Sequence, residues 1–575
     1  MHQQTLRLKT TPDQWRCTSV HALYLGMPGN LADVGTVMCL AQEERKGNGY
    51  LNIRHFAMPC TPTKANQGRT RNLPHHAPDK WLEFKDYCCQ DVVTERHIER
   101  RLARFAVPEL EHEFWLLDQQ MNTHGIKIDL ELVTQAIALG NRVKDALIAE
   151  AVKITGLENP NSRNQLLAWL QRTEEVTDLN KKTLPTILET TKEAAVRRVI
   201  EIRQDLAKTS VSKFDAMQRA VCADGRIRGM FRFYGANRTG RYAGQLVQLQ
   251  NLPRNELKDL ALARELVKAG DLDTLETMYG SVPDTLSQLI RTAFVGPFVV
   301  VDFSAIEARV IAWLANCTWR LDVFASHGKI YEASAEQMFR LPAGSVDKKS
   351  PYRQKGKIAE LALGYAGGVG ALKVMGALSL GLKEDELEGI KVAWRDANPE
   401  IVRLWYAVEN AAHRAVLERK PQHLPIGQRS NLIFSWERGL LFIELPSGRR
   451  LAYVKPRIEP QDLVRDDAVI ARAGALTYEG TDQRTKRWGR ISTYGGKLVE
   501  NITQAIARDC LREAMLAIAQ AGYQQVMTVH DEIVIESDTG LDEVLAIMRR
   551  PLSWAPGLVL RGDGFVTPYY QKESD

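Results

Sequence analysis

The chain has 575 residues, 44% of them apolar, and a formal net charge of only +6. That length leaves room for several domains, and so mild a charge means that any nucleic-acid surface must come from local clustering. No apolar run approaches a membrane span, the first residues lack the apolar core of a secretory signal, and eight scattered cysteines offer no zinc spacing. The expectation is therefore a cytoplasmic protein with no membrane partner. Residues 1–108 read as a first unit, with a Pro/Gly/Asn loop from Pro59 to Pro78 and then a helix to about Arg104. On that helix Tyr87 and Asp91 stand four apart, hence on one face. Pro108 marks a boundary, after which residues 109–225 follow helical period with turns at Gly125, Gly140 and Gly156. Within them, Lys208-Thr-Ser-Val-Ser-Lys213 sets small hydroxyls between two lysines, which suits phosphate contacts and equally suits a solvated helix end.

From Arg226 to Arg254 six arginines occur without one acid, interleaved with Phe231, Phe233, Tyr234 and Tyr242. A bland surface would mix charge signs; this run reads as a groove that tracks a phosphate backbone. Val299-Val-Val-Asp302 reads as a short buried strand ending on a carboxylate, followed from Glu307 by an amphipathic helix. Ser350 and Pro351 open a second helix on which Arg353, Lys357, Leu361 and Gly364 form one stripe, with Tyr365 at its edge. Two cations, one apolar residue and a bare glycine make a wall for a triphosphate. The glycines at 364–370 follow a helix and not a strand, so they are not a dinucleotide loop. Strands are expected near 431–435, 439–445 and 450–454, with a turn at Pro446-Ser-Gly448, then a long helix from Tyr494 whose face carries Glu500, Gln504 and Arg508. Two β-branched runs around His530 then predict a hairpin with Asp531 and Glu532 at its tip. Asp302 and Asp531 together suggest two metal ions clamped for in-line phosphoryl transfer.

Three of these segments also carry a resemblance. Asp302-Phe-Ser-Ala-Ile-Glu307-Ala-Arg309, Arg353-x-x-x-Lys357…Tyr365 and Val529-His530-Asp531-Glu532 resemble motifs A, B and C of family A DNA polymerases, in the same order. Thr239-Gly-Arg241 with Gln250-Asn251-Leu-Pro253, and Asn122-x-x-Gly125-x-x-x-Asp129, resemble further family motifs. The resemblance implies an α+β multidomain, right-hand polymerase fold. It places a partial ribonuclease H-like 3′→5′ exonuclease domain at 1–108, a thumb at 109–225, fingers at 318–424, and a palm split between 226–317 and 425–575. It implies a template-directed DNA polymerase with two Mg2+ on Asp302 and Asp531, supported by Glu532. Arg353, Lys357, Leu361, Tyr365 and Tyr331 fall to the dNTP, Lys357 being placed to protonate pyrophosphate and Glu307 to crowd a ribose 2′ position. Arg241, Gln250, Asn251, Gln504, His530 and, less directly, Asn501 fall to the primer–template. Lys208 and Lys213, read from their own segment and not from the resemblance, are further candidates for the duplex phosphates.

This sequence departs from the family in three places. Tyr331 stands where a phosphate-contacting His is usual, Leu361 where Phe or Tyr is common, and Tyr242-Ala243 where Ser-Ser is usual. Tyr87 and Asp91 resemble the last exonuclease motif, but the upstream carboxylates of that chemistry are missing. The expectation is a polymerase that does not proofread alone; a split enzyme completed by a separate exonuclease polypeptide, or a non-catalytic clamp, are the alternatives, and a processivity factor is an open partner. The compact form resembles phage members, which would place the chain in a bacterial host cytoplasm.

Overall fold

Regular structure begins with helices alone: between residues 10 and 108 the described chain forms no strand. The structure, a computed structural model, describes residues 10–174, 176–180, 183–207, 210–465 and 468–572. Helix α1, Thr18–Tyr24, buries Ala22, Leu23 and Tyr24. Helix α2, Pro78–Leu102, starts on a proline whose missing N–H costs nothing at the first turn, and buries Thr94, Ile98 and Leu102. Helix α3, Glu109–His124, follows Pro108 and stops at Gly125, whose φ of 71° suits a residue without Cβ. Helix α4, Leu130–Thr155, is capped by the Asp129 carboxylate on the Leu132 N–H.

The expected helical unit 109–225 is divided by its packing. Phe114, Leu117 and Met121 of α3 belong to the large central core, which they share with Leu23 of α1 and Ile98 of α2. Only from Ile126 onward does the chain build a second core, with Leu132, Val133 and Leu139 of α4. Charge explains the division. Glu111, 2% exposed on α3, receives Arg508 Nη1 at 2.6 Å and Nη2 at 2.7 Å, and Arg512 Nη1 at 2.6 Å. Burial opposes ionisation, but Arg508, Arg449 and Arg512 outweigh it and hold Glu111 at about 2. Such an ion cluster can be buried only when every member is paired.

A hairpin of β1, Phe231–Ala236, and β2, Arg241–Gly244, leads to the central strand β3, Val295–Phe303. Then come α5, Ile306–Leu314; α6, Ile330–Phe339; α7, Pro351–Leu363; and α8, Pro399–Glu418. Six strands follow: β4, Gln422–Ile426; β5, Ser430–Glu437; β6, Leu440–Glu444; β7, Arg450–Arg465; β8, Ala468–Thr481; and β9, Trp488–Thr493. They pair consecutively as one antiparallel meander, and the β6–β7 turn falls at Pro446-Ser-Gly448 as expected. Helix α9, Gly495–Gln520, returns the chain to a separate four-stranded sheet. This holds β10, Gln525–Val529; β11, Glu532–Glu536; β3; and β12, Gly562–Tyr569, in that order and all antiparallel. Strand β3 is covered on both faces. Val299, Val301 and Phe303 enter the central core, while Phe298 and Val300 enter the second. Burying each valine contributes about 1.5–3 kcal/mol, so Asp302 projects from one of the least deformable segments of the molecule.

Candidate active site

Pairing register puts Asp302 opposite Glu532 on β11, so the β10–β11 turn carries Asp531 to the end of β3. His530, in that turn, takes a φ of 61°, and Ala305, between β3 and α5, a φ of 51°. Left-handed backbone at two non-glycine positions beside the same carboxylates is strain held in place by the surrounding sheet. Asp302 Oδ1 is buried with no hydrogen-bond partner. Burial, then the carboxylates of Asp531 and Glu532, push Asp302 up to about 8, against the pull of Lys572. Burial raises Asp531 as well. An orphaned carboxylate oxygen beside a second carboxylate suits a hard divalent cation, whose positive charge would reverse both shifts. Among the described residues no group of three or more His, Cys, Asp or Glu forms a closed metal cage. Magnesium asks for less: one or two carboxylates, with its remaining positions left to water and phosphate oxygens.

Glu532 is spoken for. Its Oε1 accepts from Tyr570 Oη at 2.7 Å, and its Oε2 lies 3.6 Å from Lys572 Nζ. Arg291 Nη1 in turn donates to Tyr570 Oη at 3.0 Å. Sequence reasoning passed over Arg291, Tyr570 and Lys572, which lie outside every motif; a lone Lys and Tyr after a strand carry no local signal.

Opposite the aspartates a cavity of about 350 Å3 is lined by Glu307, Tyr331, Leu361, Gly364, Tyr365 and Asp531, among others. Glu307 is held at both oxygens: Arg241 Nη1 donates to Oε1 at 3.3 Å and Tyr365 Oη to Oε2 at 2.9 Å. Helix α7 starts as expected, with Ser350 Oγ accepting from the Tyr352 N–H. Leu361 is 48% exposed, and Lys357 and Arg353 stand one and two turns before it. Arg353 Nε donates to Glu332 Oε1 at 2.8 Å, and both cations face the Tyr331 ring, 5.7 and 6.0 Å from its centroid. Glu332, adjacent to Tyr331, is a further contact that the sequence reading missed.

A model of DNA polymerase family A matches residues 131–415. The DNA polymerase of Bacillus phage SP02 is 54% identical over 574 residues, covering 98% of this chain and 87% of that protein. The chain belongs to DNA polymerase family A. The thermostable DNA polymerase I of Thermus thermophilus is 24% identical over 454 residues, 75% of this chain and 44% of that protein. The POL domain of Pol1 from M. smegmatis, solved in complex with DNA primer-template and dNTP, shares the fold with a TM-score of 0.58 at 17% identity. That match covers 96% of this chain and 81% of the other. This is a DNA-directed DNA polymerase of the phage type, and its activity is template-directed DNA synthesis.

Around this polymerase site the other expected contacts divide. Arg241 Nη2 lies 3.4 Å from His530 Nδ1, and the His530 ring bonds the Gln250 backbone, so these three gather beside Asp531; both side-chain amide atoms of Gln250 are buried without partners. Asn251 is exposed next to Gln250. Gln504 and Asn501 line a second cavity of about 890 Å3 with Arg232 and Arg238. Asn501, 4% exposed, donates to Tyr453 Oη at 3.0 Å. Lys213 Nζ donates to the Val247 carbonyl at 2.8 Å and so ties its helix to the loop before Gln250. Lys208 lies outside the described residues.

The Arg-rich run is also less uniform than expected. Arg226 pairs with Glu536 at 2.7 Å and Arg228 with Asp224 at 2.6 Å. Phe231, Phe233 and Tyr234 are buried, so the aromatics are core and not a stacking platform; of the acids, Glu536 comes from a distant strand and Asp224 from the turn just before the run. Tyr87 and Asp91 do meet, but through Lys46, whose ammonium bonds both and sits 4.4 Å from the Tyr87 ring centroid. With no strand among the described residues before 108, the ribonuclease H-like expectation rests on that pair alone.

Proposed function

We propose that this polymerase extends a primer 3′ end with dNTPs by two-metal phosphoryl transfer, with Asp302 and Asp531 as the protein ligands of two Mg2+ ions. The observation that carries this reading is the buried, unpartnered Asp302 Oδ1 beside Asp531 at the mouth of the Glu307–Tyr365 cavity. Bound there, the ions would lower the pKa of the primer 3′-hydroxyl and neutralise charge developing on the triphosphate. The chain's own residues do the rest. Arg353 and Lys357 bind the triphosphate, with Lys357 the proton donor to pyrophosphate and Tyr331 the flat surface behind both. Glu307, fixed by Arg241 and Tyr365, excludes a 2′-hydroxyl. Arg241, Gln250, Asn251, His530 and Gln504 contact the terminal pairs of the primer–template, where the minor groove offers acceptors in every base pair. In this reading residues 318–424 act as fingers, the helices from Ile126 to 225 as thumb, and the four-stranded sheet as palm.

The N-terminal helices carry no proofreading of their own in this proposal, because Lys46 pairs with Asp91 and, among the described residues, no group of three or more metal-ligating side chains forms there. The decisive assay incubates the chain with labelled primer–template and Mg2+, with dNTPs, with rNTPs or with none, beside Asp531→Asn. Extension with dNTPs alone, abolished in the variant, is expected. Shortening of the primer without nucleotides, retained in the variant, would overturn the reading of the N-terminal unit.

A further inference from the structure

Behind β12 the chain runs back beneath the catalytic hairpin, and its side chains there are fastened as firmly as any in the site. Tyr570 is fully buried; its N–H donates to the Phe294 carbonyl at 2.9 Å, and its hydroxyl joins Arg291 to Glu532. Two residues on, the Lys572 N–H donates to Asn255 Oδ1 at 3.3 Å, and Asn255 Nδ2 donates to the Gln288 carbonyl at 2.5 Å. The lysine is therefore delivered to one place by its neighbours on both the backbone and the side-chain level.

Its ammonium lies 3.6 Å from Glu532 Oε2, an ion-pair distance beyond hydrogen-bond range, which leaves its donors available for a second anion. The Lys572 side chain is 25% exposed where that of Glu532 is 4% exposed, so the lysine is the end of this pair that reaches solvent. The second anion can be placed by elimination. The incoming triphosphate is assigned above to Arg353 and Lys357, which both face the Tyr331 ring on the far side of the cavity from β12. Lys572 is bonded instead to the loop that carries Gln250, Asn251 and Asn255. On that side of Asp302 and Asp531 the nearest phosphate to a reacting 3′-hydroxyl is the last phosphodiester of the primer itself.

We propose that Lys572 binds the terminal phosphodiester of the primer and so holds the 3′-hydroxyl at Asp302 and Asp531. This rests on the two-aspartate polymerase reading above. A lysine suits the task, being a compact point charge on a flexible stem that tolerates any base sequence. The competing explanation is that Lys572 only balances the buried charge of Glu532.

A chemical edit of the primer separates the two. Single-turnover extension is measured with an ordinary primer and with one whose last internucleotide linkage is a neutral methylphosphonate, using wild type, Lys572→Met and Lys572→Arg. The expected result is a roughly tenfold loss of kcat/KM for DNA in Lys572→Met, the same loss for wild type on the neutral primer, and no further loss when the two are combined. Lys572→Arg recovers most of the activity, and the salt dependence of DNA binding falls by about one phosphate contact in Lys572→Met. Losses that multiply, or a wild type indifferent to the neutral linkage, would overturn the proposal; the second needs no variant to fold. Multiplying losses with a lowered Tm would identify Lys572 as a counter-ion of Glu532. A wild type that extends no primer at all would instead remove the polymerase reading on which this one rests.

Discussion

Glu307 reaches the cavity proposed for the nucleotide from the first turn of α5, and Arg241 and Tyr365 each hold one of its oxygens. A carboxylate gripped in this way cannot rotate aside to admit a hydroxyl, and its bonds are satisfied before any sugar arrives. Steric exclusion by a fixed group should therefore fail when the group is shortened. Glu307→Ala is expected to narrow the dNTP over rNTP preference by roughly 10–100-fold, chiefly through faster rNTP use, as read from paired kcat/KM values. Tyr365→Phe removes one of the two restraints and should narrow it less. Unchanged discrimination in Glu307→Ala would mean that another residue senses the sugar. A second single residue governs stability. Asp118 on α3 is 1% exposed, and burial pushes it up to about 7, against the bonds it accepts from Gln119 and Asn122. The folded protein thus holds this proton more tightly than the unfolded chain, whose carboxyl titrates near the ordinary 3.8. The stabilisation is complete below that value and is lost as pH rises to about 7. Asp118→Asn is expected to exceed wild type by ~2–4 kcal/mol in urea unfolding at pH 8, with the advantage at least halved at pH 5. An advantage independent of pH would contradict a titrating Asp118.

Elements whose signals are local were legible in the sequence. The valine run of β3, the Ser350-Pro351 start of α7 and the two β-branched arms around His530 declare themselves within a dozen residues, and all three stand where expected. The cavity they enclose was legible for the same reason, since strand ends and helix faces fix where Asp302, Asp531 and Leu361 point. What could not be read was partnership over long separation. Nothing near Glu111 announces Arg508 and Arg512, yet that cluster moves α3 out of the helical unit expected for 109–225 and into the central core. The arginines from 226 onward illustrate the same limit: a run free of acids looks basic until the fold brings Glu536 to Arg226. Tyr570 and Lys572 were invisible for the plainest reason, because their meaning lies entirely in which strand they run beneath.

At the scale of the molecule the question is whether the N-terminal helices are a module or part of the palm. Ala22, Leu23, Leu25, Ile98 and Leu102 share one core with Val299, Phe442 and Ile506. The contact is close at Gly26, where φ is 71° and an added Cβ would meet the Ala452 carbonyl oxygen at 2.4 Å. Tyr24 Oη accepts from the Arg450 N–H, and Asn237 Nδ2 donates to the Met27 carbonyl at 3.1 Å, so the end of α1 is stitched to β7 and the turn after it to the β1–β2 turn. Gly26→Ala must therefore either strain the turn or push it off β7, and a loss of about 1–3 kcal/mol is expected. Because both sides of the contact belong to one core, the loss should be felt on both. Hydrogen exchange is expected to accelerate together in residues 18–40 and in β6–β7, and the melting transition should stay single while its Tm falls. Exchange that quickens only before residue 108, or a melt that splits in two, would show instead a detachable appendage. In that case the helices around Tyr87, Lys46 and Asp91 would be free to differ between polymerases without touching the catalytic sheet.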